Sequence, residues 1–264
     1  MTTRTAAITG SASGIGAAVR ARLERDGWRV VGVDLAGSPR AGGAPVEVEA
    51  DLSHAEGRAA AIVDVLAAAD GRLDALVPCA GVGPQVPARR LLPAINYFGA
   101  VAMLDGLFGA LTAGESAAAV AICSNSISMT PMPDLTLVEL MVAGAEAAAL
   151  DACEALDGPT VYAMTKVALG RAARQRAQVW GEAGVRLNLV APGPVTTPLL
   201  QGTRDDPVIG PFVDLLPIPL GRVAEPVEIA GPIAFLLGPE ASDIHGSVLF
   251  IDGGSDALFR PDHV

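Results

Sequence analysis

The 264-residue sequence predicts an α/β fold in which a doubly wound parallel sheet of about seven strands carries helices on both faces. Two observations predict this architecture. Short strand-like runs alternate with helical patterns along the chain, and most of those runs are almost continuously apolar, as in parallel strands buried on both faces. Because no internal repeat or change in composition marks a second domain, we interpret residues 1–264 as a single domain.

The alternation predicts seven strands and five clear helices. The strands are Thr5–Thr9, Arg29–Asp34, Val46–Ala50, Asp74–Pro78, Ala118–Cys123, Val185–Val190 and Ser247–Ile251. The helices are Ile15–Arg25, Ala55–Ala69, Pro93–Leu111, Tyr162–Trp180 and Val227–Leu237. An inserted segment at about residues 130–158 interrupts the alternation, and within it Leu135–Leu156 has a helical pattern. Three interpretations of that helix stay open: a solvated helix on the rim of the fold, part of an oligomer contact, or a lid over a pocket.

The composition and charge exclude several classes of protein. Hydrophobic residues make up 51% of the chain and the mean hydropathy is +0.43, which excludes intrinsic disorder. Aromatic residues contribute only 4%, so we expect a core made mainly of Ala, Val, Leu and Ile. The net charge of −11 argues against a nucleic-acid partner, since binding to phosphates requires clustered Lys and Arg.

Two features of the chain predict a soluble cytoplasmic protein with no membrane partner. Residues 1–10 lack the apolar stretch of a signal peptide. The longest uninterrupted apolar run, Ala117–Cys123, is far shorter than the ~20 residues that span a bilayer. The three cysteines, Cys79, Cys123 and Cys153, form no CxxC pair and have no histidine nearby. We therefore expect neither a disulfide framework nor a metal site.

A glycine-rich turn after the first predicted strand indicates a dinucleotide site. Gly10, Gly14 and Gly16 allow a tight turn and close approach of a ligand, and the following helix offers free N–H groups to a pyrophosphate. Asp34 ends the second strand, where a carboxylate can accept both ribose hydroxyls of an adenosine. Its charge would repel a 2′-phosphate by about 4 kcal/mol at ~4 Å and an effective dielectric constant of ~20. The sequence therefore predicts NAD in preference to NADP.

Tyr162 and Lys166 form the strongest catalytic signal in the sequence. At positions i and i+4 of a predicted helix, both side chains project from one face. An ammonium group beside a phenol stabilises the phenolate, which suits Tyr162 to acid–base chemistry on an alcohol or ketone. Lys166 is the only lysine among 18 Lys and Arg residues, which indicates a position that a guanidinium group cannot fill. The alternative is an exposed tyrosine beside a solvated lysine.

The order of these motifs resembles the short-chain dehydrogenase/reductase family along nearly the whole chain. Thr9–Gly16 resembles the coenzyme motif of that family, and Tyr162–Lys166 is similar to its YxxxK motif. Cys79–Gly81 resembles the Asn-Asn-Ala-Gly motif, although Pro78 and the cysteine replace the two asparagines. Asn188–Thr197 is similar to the loop on the nicotinamide side. The resemblance implies a Rossmann-type, dinucleotide-binding and catalytic domain with NAD as its cofactor.

The resemblance also implies further site residues. The additional cofactor contacts are Ser13, Ile15, Leu35, Asp51, Leu52, Cys79, Ala80, Gly81, Pro192, Gly193, Val195 and Thr197, and Tyr162 and Lys166 contact the cofactor as well. The hydroxyl that polarises the substrate is expected at Ser124, with Ser126 and Ser128 as competitors. Asn96 would order a water that relays protons to Lys166, or else is a polar residue that kinks a helix. The histidines lie in no motif and are interpreted as surface residues: His54, His245 and His263.

Within the family, the chain most resembles the bacterial 3α-hydroxysteroid dehydrogenase/carbonyl reductase branch. The segments that carry this likeness are Gly27–Asp34, Cys79–Gln85, Asn96–Ala100, Trp180–Asn188 and Ile251–Gly254. That branch also has a long insertion between the catalytic serine and tyrosine, as this chain does. The family resemblance further implies a homodimer or homotetramer.

The segment 197–221 corresponds to the substrate loop of the family. Its apolar residues are Leu199, Leu200, Ile209, Phe212, Val213, Leu215, Leu216 and Ile218. Such side chains suit a bulky apolar ketone or secondary alcohol, such as a steroid. One alternative is an NADPH-dependent 3-oxoacyl-carrier or other carbonyl reductase, against which Asp34 argues. The other is a non-catalytic NAD-sensing protein, which would be expected to lack Ser124, Tyr162 or Lys166.

Overall fold

A computed structural model describes residues 3–38, 40, 43 and 45–262, and in it the predicted strands form one sheet. The strands are β1 Thr5–Thr9, β2 Arg29–Asp34, β3 Val48–Glu49, β4 Ala75–Pro78, β5 Ala118–Ile122, β6 Arg186–Pro192 and β7 Val248–Ile251. They follow the order β3-β2-β1-β4-β5-β6-β7, and each neighbouring pair is parallel. The order reverses between β1 and β4, which leaves a crevice at the carboxyl ends of the strands. The predicted doubly wound α/β fold is confirmed.

The register of the strands brings their carboxyl ends together. Thr9 of β1 pairs with Val33 of β2 and with Pro78 of β4. Farther along the sheet, Ile122 of β5 pairs with Val190 of β6. The residues that follow these strands therefore converge at one edge of the sheet, and they include most of the predicted site.

The number of neighbouring strands accounts for the two largest differences from the predicted strands. The third strand was expected over Val46–Ala50, but only Val48–Glu49 pairs, because β3 is an edge strand with a single neighbour. The sixth strand runs past Val190 to Pro192, since β6 is held on both sides by β5 and β7. The sequence pattern thus predicts where a strand lies, while the length of the strand depends on the strands beside it.

The helices extend on both faces of the sheet. In chain order they are α1 Gly14–Arg25, α2 Ala55–Ala68, α3 Leu91–Pro93, α4 Ala100–Thr112, α5 Ser126–Met129, α6 Thr136–Val142, α7 Glu146–Ala152, α8 Gly158–Gln175, α9 Ala177–Glu182, α10 Pro198–Arg204, α11 Gly210–Asp214, α12 Pro226–Leu237 and α13 Ser255–Phe259. A π-helical turn, Ala94–Gly99, joins α3 to α4. The helix predicted over Tyr162–Trp180 begins earlier, because Asp157 accepts a hydrogen bond from the Thr160 N–H at 2.8 Å and caps α8. Arg176 separates α8 from α9.

The inserted segment forms two short helices in place of the single helix predicted over Leu135–Leu156. Between α6 and α7 lies Gly144, whose φ of 73° is in the left-handed region that glycine adopts without strain. Glu146 of α7 accepts hydrogen bonds at 2.7 and 2.8 Å from the buried Arg58 of α2. Helix α6 packs on α8 and buries Leu137, Val138 and Met141. The insertion is therefore held to the rest of the fold by the buried face of α6 and by the ion pair of Glu146 with Arg58.

Two apolar layers enclose the sheet. On one face, α1 and α12 pack together, with Val19 and Leu23 facing Ile229 and Ile233 across a buried cluster. On the other face, α2, α4 and α8 form the larger cluster, which includes Leu104. The core consists mainly of Ala, Val, Leu and Ile, as the composition predicts. The buried aromatic side chains are Tyr97, Phe98 and Trp180.

One helical stretch in the described part of the chain is long and apolar enough to cross a membrane. Residues Leu91–Thr112 span 22 positions, with a mean hydropathy of 1.4 in the most apolar window. Inside the fold, 61% of that window is buried, because α4 packs against α2, α8 and the sheet. Its apolar character is therefore accounted for by its position in the core.

The two histidines that the structure describes differ from each other. His54 is exposed and caps α2, as expected of a surface residue. His245 is half-buried: its Nδ1 accepts from the Leu187 N–H at 2.9 Å and its Nε2 lies 2.7 Å from the Ala177 carbonyl oxygen. The prediction of a surface residue is wrong for His245, which links β6 to α9. His263 lies outside the described residues.

Candidate active site

A cavity of about 510 Å³ opens at the carboxyl ends of the strands, at the crevice between β1 and β4. This volume is typical of a ligand site. Its walls include every predicted site residue except Asn96: Gly10, Ser13, Gly14, Ile15, Gly16, Asp34, Leu35, Asp51, Leu52, Cys79, Ala80, Gly81, Ser124, Tyr162, Lys166, Pro192, Gly193, Val195 and Thr197. Residues that are far apart in the sequence thus form one continuous surface.

The glycine turn is built so that only glycine fits. Gly10 has a φ of 67°, and a Cβ there would lie 2.8 Å from the Ala80 Cα. A Cβ on Gly16 would overlap the Gly10 carbonyl oxygen. Ser13, the N-cap of α1, makes no side-chain cap hydrogen bond, so backbone N–H donors of the first turn are left for an anion. The turn therefore fits the pyrophosphate of a dinucleotide.

Asp34 is fixed at the end of β2 by its own backbone surroundings. One carboxylate oxygen accepts from the Ala12 N–H at 2.9 Å. The other accepts from the Leu35 N–H at 2.8 Å and from the Ser38 hydroxyl at 2.7 Å. A carboxylate offers about four acceptor positions, so these three bonds leave one for a ligand. The position and the charge fit the ribose of an adenosine.

The loop after β4 keeps its position even though Pro78 and Cys79 replace the asparagines of the family motif. The hydroxyl oxygen of Thr9 accepts from the Cys79 and Ala80 N–H groups at 3.0 Å each, so the backbone of the loop is tied to β1. Burial raises the pKa of the Cys79 thiol to about 12, which favours the protonated form. The loop is therefore anchored to β1 through its backbone N–H groups, whatever the side chain at position 79.

Lys166 is buried beside Tyr162 on the inner face of α8. Only 6% of Lys166 is exposed, and its Nζ donates to the Ile122 carbonyl oxygen at 2.9 Å. The Nζ atom also lies 5.6 Å from the centre of the Tyr162 ring. Since an ammonium group has three N–H donors, one holds the side chain to β5 and two stay available in the cavity. The predicted pairing of the two side chains on one helix face is present.

The three candidate serines occupy different positions. Ser124 lines the cavity, and its Oγ accepts from the Ser126 N–H at 3.2 Å. Ser126 also lines the cavity, and its buried Oγ has no hydrogen-bond partner in the described residues. Ser128 is outside the cavity wall and donates to the Asn125 carbonyl oxygen at 3.0 Å. Geometry therefore leaves Ser124 and Ser126 as candidates and removes Ser128.

The side chain of Asn96 is engaged elsewhere. It lies in the π-helical turn, is 1% exposed and bonds twice to Val82: its Oδ1 accepts from the N–H at 2.8 Å and its Nδ2 donates to the carbonyl oxygen at 3.0 Å. These two bonds hold the loop after β4 against the helix. A part in proton relay stays a prediction for Asn96, whereas positioning of the loop is visible directly.

Several cavity residues were not singled out from the sequence. Asn125 follows Ser124 and has a buried Nδ2 without a partner among the described residues, and its place next to the serine was the only signal available. Phe259 reaches the cavity from α13 at the far end of the chain, where nothing in the sequence marks it. Of the inserted segment, only Thr130 reaches the cavity, which argues against a lid.

The substrate loop divides into lining and exposed residues. The lining residues are Leu199, Leu200, Thr203, Ile209, Val213 and Leu216. Phe212 and Leu215 point away and are 69% and 78% exposed. The predicted apolar wall is thus present, but three of the eight predicted side chains do not line it: Phe212, Leu215 and Ile218.

The fold and the cavity together define an oxidoreductase that works with a nicotinamide dinucleotide. The chain belongs to the short-chain dehydrogenase/reductase family. A family profile described as enoyl-(acyl carrier protein) reductase matches residues 10–256, from the glycine turn into α13. The predicted family, the alcohol/ketone oxidoreductase class and the binding of a nicotinamide cofactor are confirmed.

Known proteins of the same family are similar over the whole chain. The sequence is 45% identical over 257 residues to the 3-alpha-hydroxysteroid dehydrogenase/carbonyl reductase of Comamonas testosteroni, covering 96% of this chain and 97% of that protein. The D-threitol dehydrogenase of Mycolicibacterium smegmatis is 31% identical over 269 residues, covering 95% and 92%.

Among solved structures, the 3-alpha-hydroxysteroid dehydrogenase from Pseudomonas sp. B-0831, complexed with NADH, has a TM-score of 0.93 and 47% identity, covering 98% of this chain and 100% of that one. The 3-ketoacyl-(acyl-carrier-protein) reductase from Brucella melitensis, also complexed with NADH, has a TM-score of 0.74 and 25% identity, covering 96% and 98%. The predicted resemblance to the hydroxysteroid dehydrogenase/carbonyl reductase branch is confirmed.

Proposed function

We propose that the protein interconverts a bulky apolar ketone and its secondary alcohol with NAD(H), with 3-ketosteroids and 3-hydroxysteroids as the substrate class. The observation that carries this proposal is an apolar wall in the same cavity as Tyr162, formed by Leu200, Ile209, Val213 and Leu216. Such a wall suits a ring system and gives sugars or nucleotides few partners. The relatives named as hydroxysteroid dehydrogenases support the same class.

The carboxylate of Asp34 supports NAD over NADP. Its position at the end of β2 suits the ribose of the adenosine, and its charge would repel a 2′-phosphate by about 4 kcal/mol. This argues against the NADPH-dependent 3-oxoacyl-carrier reductase alternative. The presence of Ser124, Tyr162 and Lys166 on one cavity argues against a non-catalytic NAD sensor.

We propose catalytic roles for three side chains that line the cavity, with Ser124 preferred to Ser126 because its Oγ accepts a hydrogen bond from a backbone N–H. When bound, the nicotinamide supplies a hydride to the carbonyl carbon or accepts it from the alcohol. Tyr162 donates its phenolic proton to the ketone oxygen in reduction and takes the alcohol proton in oxidation. The Ser124 hydroxyl accepts from a backbone N–H, so its own proton is free to hydrogen-bond the same substrate oxygen and stabilise developing charge. Lys166 provides the positive charge beside the phenol and a donor for the nicotinamide ribose.

A second copy of this chain is the proposed partner. Strand β7 is an edge of the sheet, and its Leu249 is 40% exposed. On α12, Val227 and Phe235 are 64% and 41% exposed. An open strand edge beside exposed apolar side chains is typically covered by another chain. We infer a homodimer through this face, or a homotetramer that includes it, and light scattering on the purified protein gives the mass.

The proposed location is the cytoplasm. All three cysteines are free thiols, and the absence of disulfides among these described residues is typical of a reducing compartment. The three thiols, Cys79, Cys123 and Cys153, are half-buried or buried.

A substrate panel tests the proposed activity. Initial rates are measured with 3-ketosteroids, simple aryl ketones and a 3-oxoacyl-carrier thioester, each with NADH and with NADPH. We expect the ketosteroids with NADH to give the highest kcat/KM. Rates that are higher for acyl-carrier ketones, or higher with NADPH, would replace this proposal with the reductase alternative.

A further inference from the structure

A polar bridge joins the two walls of the substrate half of the cavity. Thr203 of α10 is 4% exposed, and its Oγ1 lies 2.9 Å from the Oε1 of Gln85, which is on the loop after β4. The same hydroxyl lies 3.0 Å from the Leu199 carbonyl oxygen. A hydroxyl has one proton and donates to one acceptor at a time. When it donates to Leu199, the Gln85 amide, turned over, donates to the hydroxyl, so the bridge is satisfied either way.

Two glycines make room for this amide. A Cβ on Gly202 of α10 would lie 2.8 Å from the Gln85 Nε2, and a Cβ on Gly83 would overlap its Oε1. The amide is therefore enclosed between the backbone of α10 and the backbone of its own loop. A methyl group at either glycine would displace it, while the flexible glutamine side chain lets the fold itself stay unchanged.

The loop after β4, which carries Gln85, is one of the two walls. We call it the fixed wall because it is bonded to the fold at both ends. Asn96 bonds twice to Val82 at one end of the loop. Arg89 donates to the Leu156 carbonyl oxygen at 2.6 Å at the other end. In between, the Pro84 carbonyl oxygen packs so closely on Gly158 that a Cβ there would overlap it. These contacts tie the loop to the helix that bears Tyr162.

The opposite wall depends on the bridge. Helix α10 bears Leu199, Leu200 and Thr203, and both leucines line the cavity. It leads into α11, whose Phe212 is largely exposed and therefore contributes little packing. The Gln85 contact is the polar side-chain bond that the described residues place between α10 and the fixed wall. The position of the leucines is thus coupled to it.

We propose that Gln85 and Thr203 are a positioning pair that holds α10 against the loop after β4 and so sets the size of ketone that the cavity orients toward Tyr162. This inference rests on the proposed ketone reductase function and names the residues that decide its substrate range. The pair acts through Leu199 and Leu200, and it takes no part in hydride or proton transfer.

Steady-state kinetics with NADH test the pair. The ketones are a rigid four-ring 3-ketosteroid and cyclohexanone. Thr203→Val keeps the shape of the side chain but removes its hydroxyl, and Gln85→Ala removes the amide. Gly202→Ala retains both Gln85 and Thr203 but displaces the amide from its position. Thr203→Ser is the matched control, because it retains the hydroxyl.

We expect KM for the ketosteroid to rise at least fivefold in the three variants, with kcat within twofold of the wild type and KM for cyclohexanone within twofold. Thr203→Ser should match the wild type, and combining Gln85→Ala with Thr203→Val should add nothing to either alone. Equal changes for both ketones, an unchanged KM, or additive effects would each overturn the proposal. The Gly202→Ala variant also distinguishes the proposal from a general weakening of α10. Because alanine is a better helix former than glycine, this variant should not weaken the helix. A higher KM in it would therefore come from the displaced amide.

A second measurement does not depend on the substrate. Hydrogen exchange of the amides in residues 198–204 should be faster in Thr203→Val and Gln85→Ala than in the wild type and in Thr203→Ser. Unchanged exchange would overturn the bridge. If the wild type reduces cyclohexanone but no ketosteroid, the proposed substrate class fails, and the exchange rates alone decide whether the pair positions α10.

Discussion

The cofactor half and the substrate half of the cavity differ in whether backbone or side chains form their walls. The cofactor half is made by backbone: a glycine turn, the ends of β1, β2 and β4, and main-chain hydrogen bonds to Asp34 and Thr9. The substrate half is formed by apolar side chains on the short helices of residues 197–221. Part of that segment is exposed, and the exposed fraction of Leu215 is 78%. Backbone geometry cannot change without breaking the sheet, whereas side chains on short helices can be exchanged one by one.

This difference separates the chemistry from the choice of substrate. Tyr162 and Lys166 belong with the cofactor half, since α8 is capped by Asp157 and packed on the core. Substitutions there should change kcat for every ketone, and substitutions in residues 197–221 should change KM for particular ketones. The following predictions test that division, beginning with the largest effect.

Replacement of Tyr162 by Phe removes the proton donor and keeps the ring. We expect kcat to fall by roughly 10² to 10⁴ for all ketones, because general acid–base catalysis contributes about that much. NADH affinity, followed by the fluorescence of the bound nucleotide, should stay within about threefold. A variant that keeps more than about a tenth of the activity would show that another group carries the proton.

Replacement of Lys166 by Arg keeps the charge and changes the shape. The Nζ atom is buried and donates to the Ile122 carbonyl oxygen, a position that the larger planar guanidinium group cannot take. We expect kcat to fall at least about tenfold, since the charge is misplaced relative to Tyr162. Arg171→Lys, at an exposed position of the same helix, is the control and should be silent. Full activity of the Lys166 variant would reduce the role of this residue to charge alone.

The same division explains which features could be predicted from the sequence. Strands β1 and β2 and the glycine turn agree with the prediction residue by residue, because apolar runs and glycine spacing are local signals that backbone geometry follows directly. The pairing of Tyr162 with Lys166 needs only the period of a helix. All of these features belong to the cofactor half.

The features that were missed depend on contacts between distant segments. His245 is half-buried because Leu187 and Ala177 happen to meet its two nitrogens, which no motif encodes. The bonds from Asn96 to Val82 and the arrival of Phe259 at the cavity are of the same kind. The break at Gly144 was visible as a glycine, but the apolar stripe around it has the period of one continuous helix.

Asp34 gives the next prediction, at the boundary of the nucleotide rather than at the reacting atoms. We expect NAD(H) to be used at least about tenfold better than NADP(H), as repulsion of a few kcal/mol requires. Asp34→Asn keeps the size and removes the charge, so it should narrow the ratio of kcat/KM values for NADH and NADPH. KM for the ketone should not change. Equal use of both cofactors by the wild type would contradict the assignment.

The smallest effect concerns the support of the cofactor half. Burial alone would raise the pKa of Glu47, but hydrogen bonds from Arg20 at 2.7 and 2.9 Å and from the Gly32 N–H at 2.6 Å outweigh it and hold the pKa below its usual range. A lowered pKa in the folded state stabilises the fold above the unfolded value near 4.5, and this stabilisation is lost as the pH falls through the folded value.

Glu47→Gln should therefore lower the free energy of unfolding by about 2 kcal/mol at pH 7, the usual contribution of hydrogen bonds to a charged group, as measured by urea titration. The difference from the wild type should shrink as the pH falls below about 4.5. Glu49→Gln, which breaks the exposed pair with Arg40, is the control and should change stability by less than about 0.5 kcal/mol. Because Gly32 lies behind the glycine turn, NADH affinity should fall with Glu47→Gln while KM for the ketone stays constant. A change in ketone KM without a change in NADH affinity would show that the two halves are not independent.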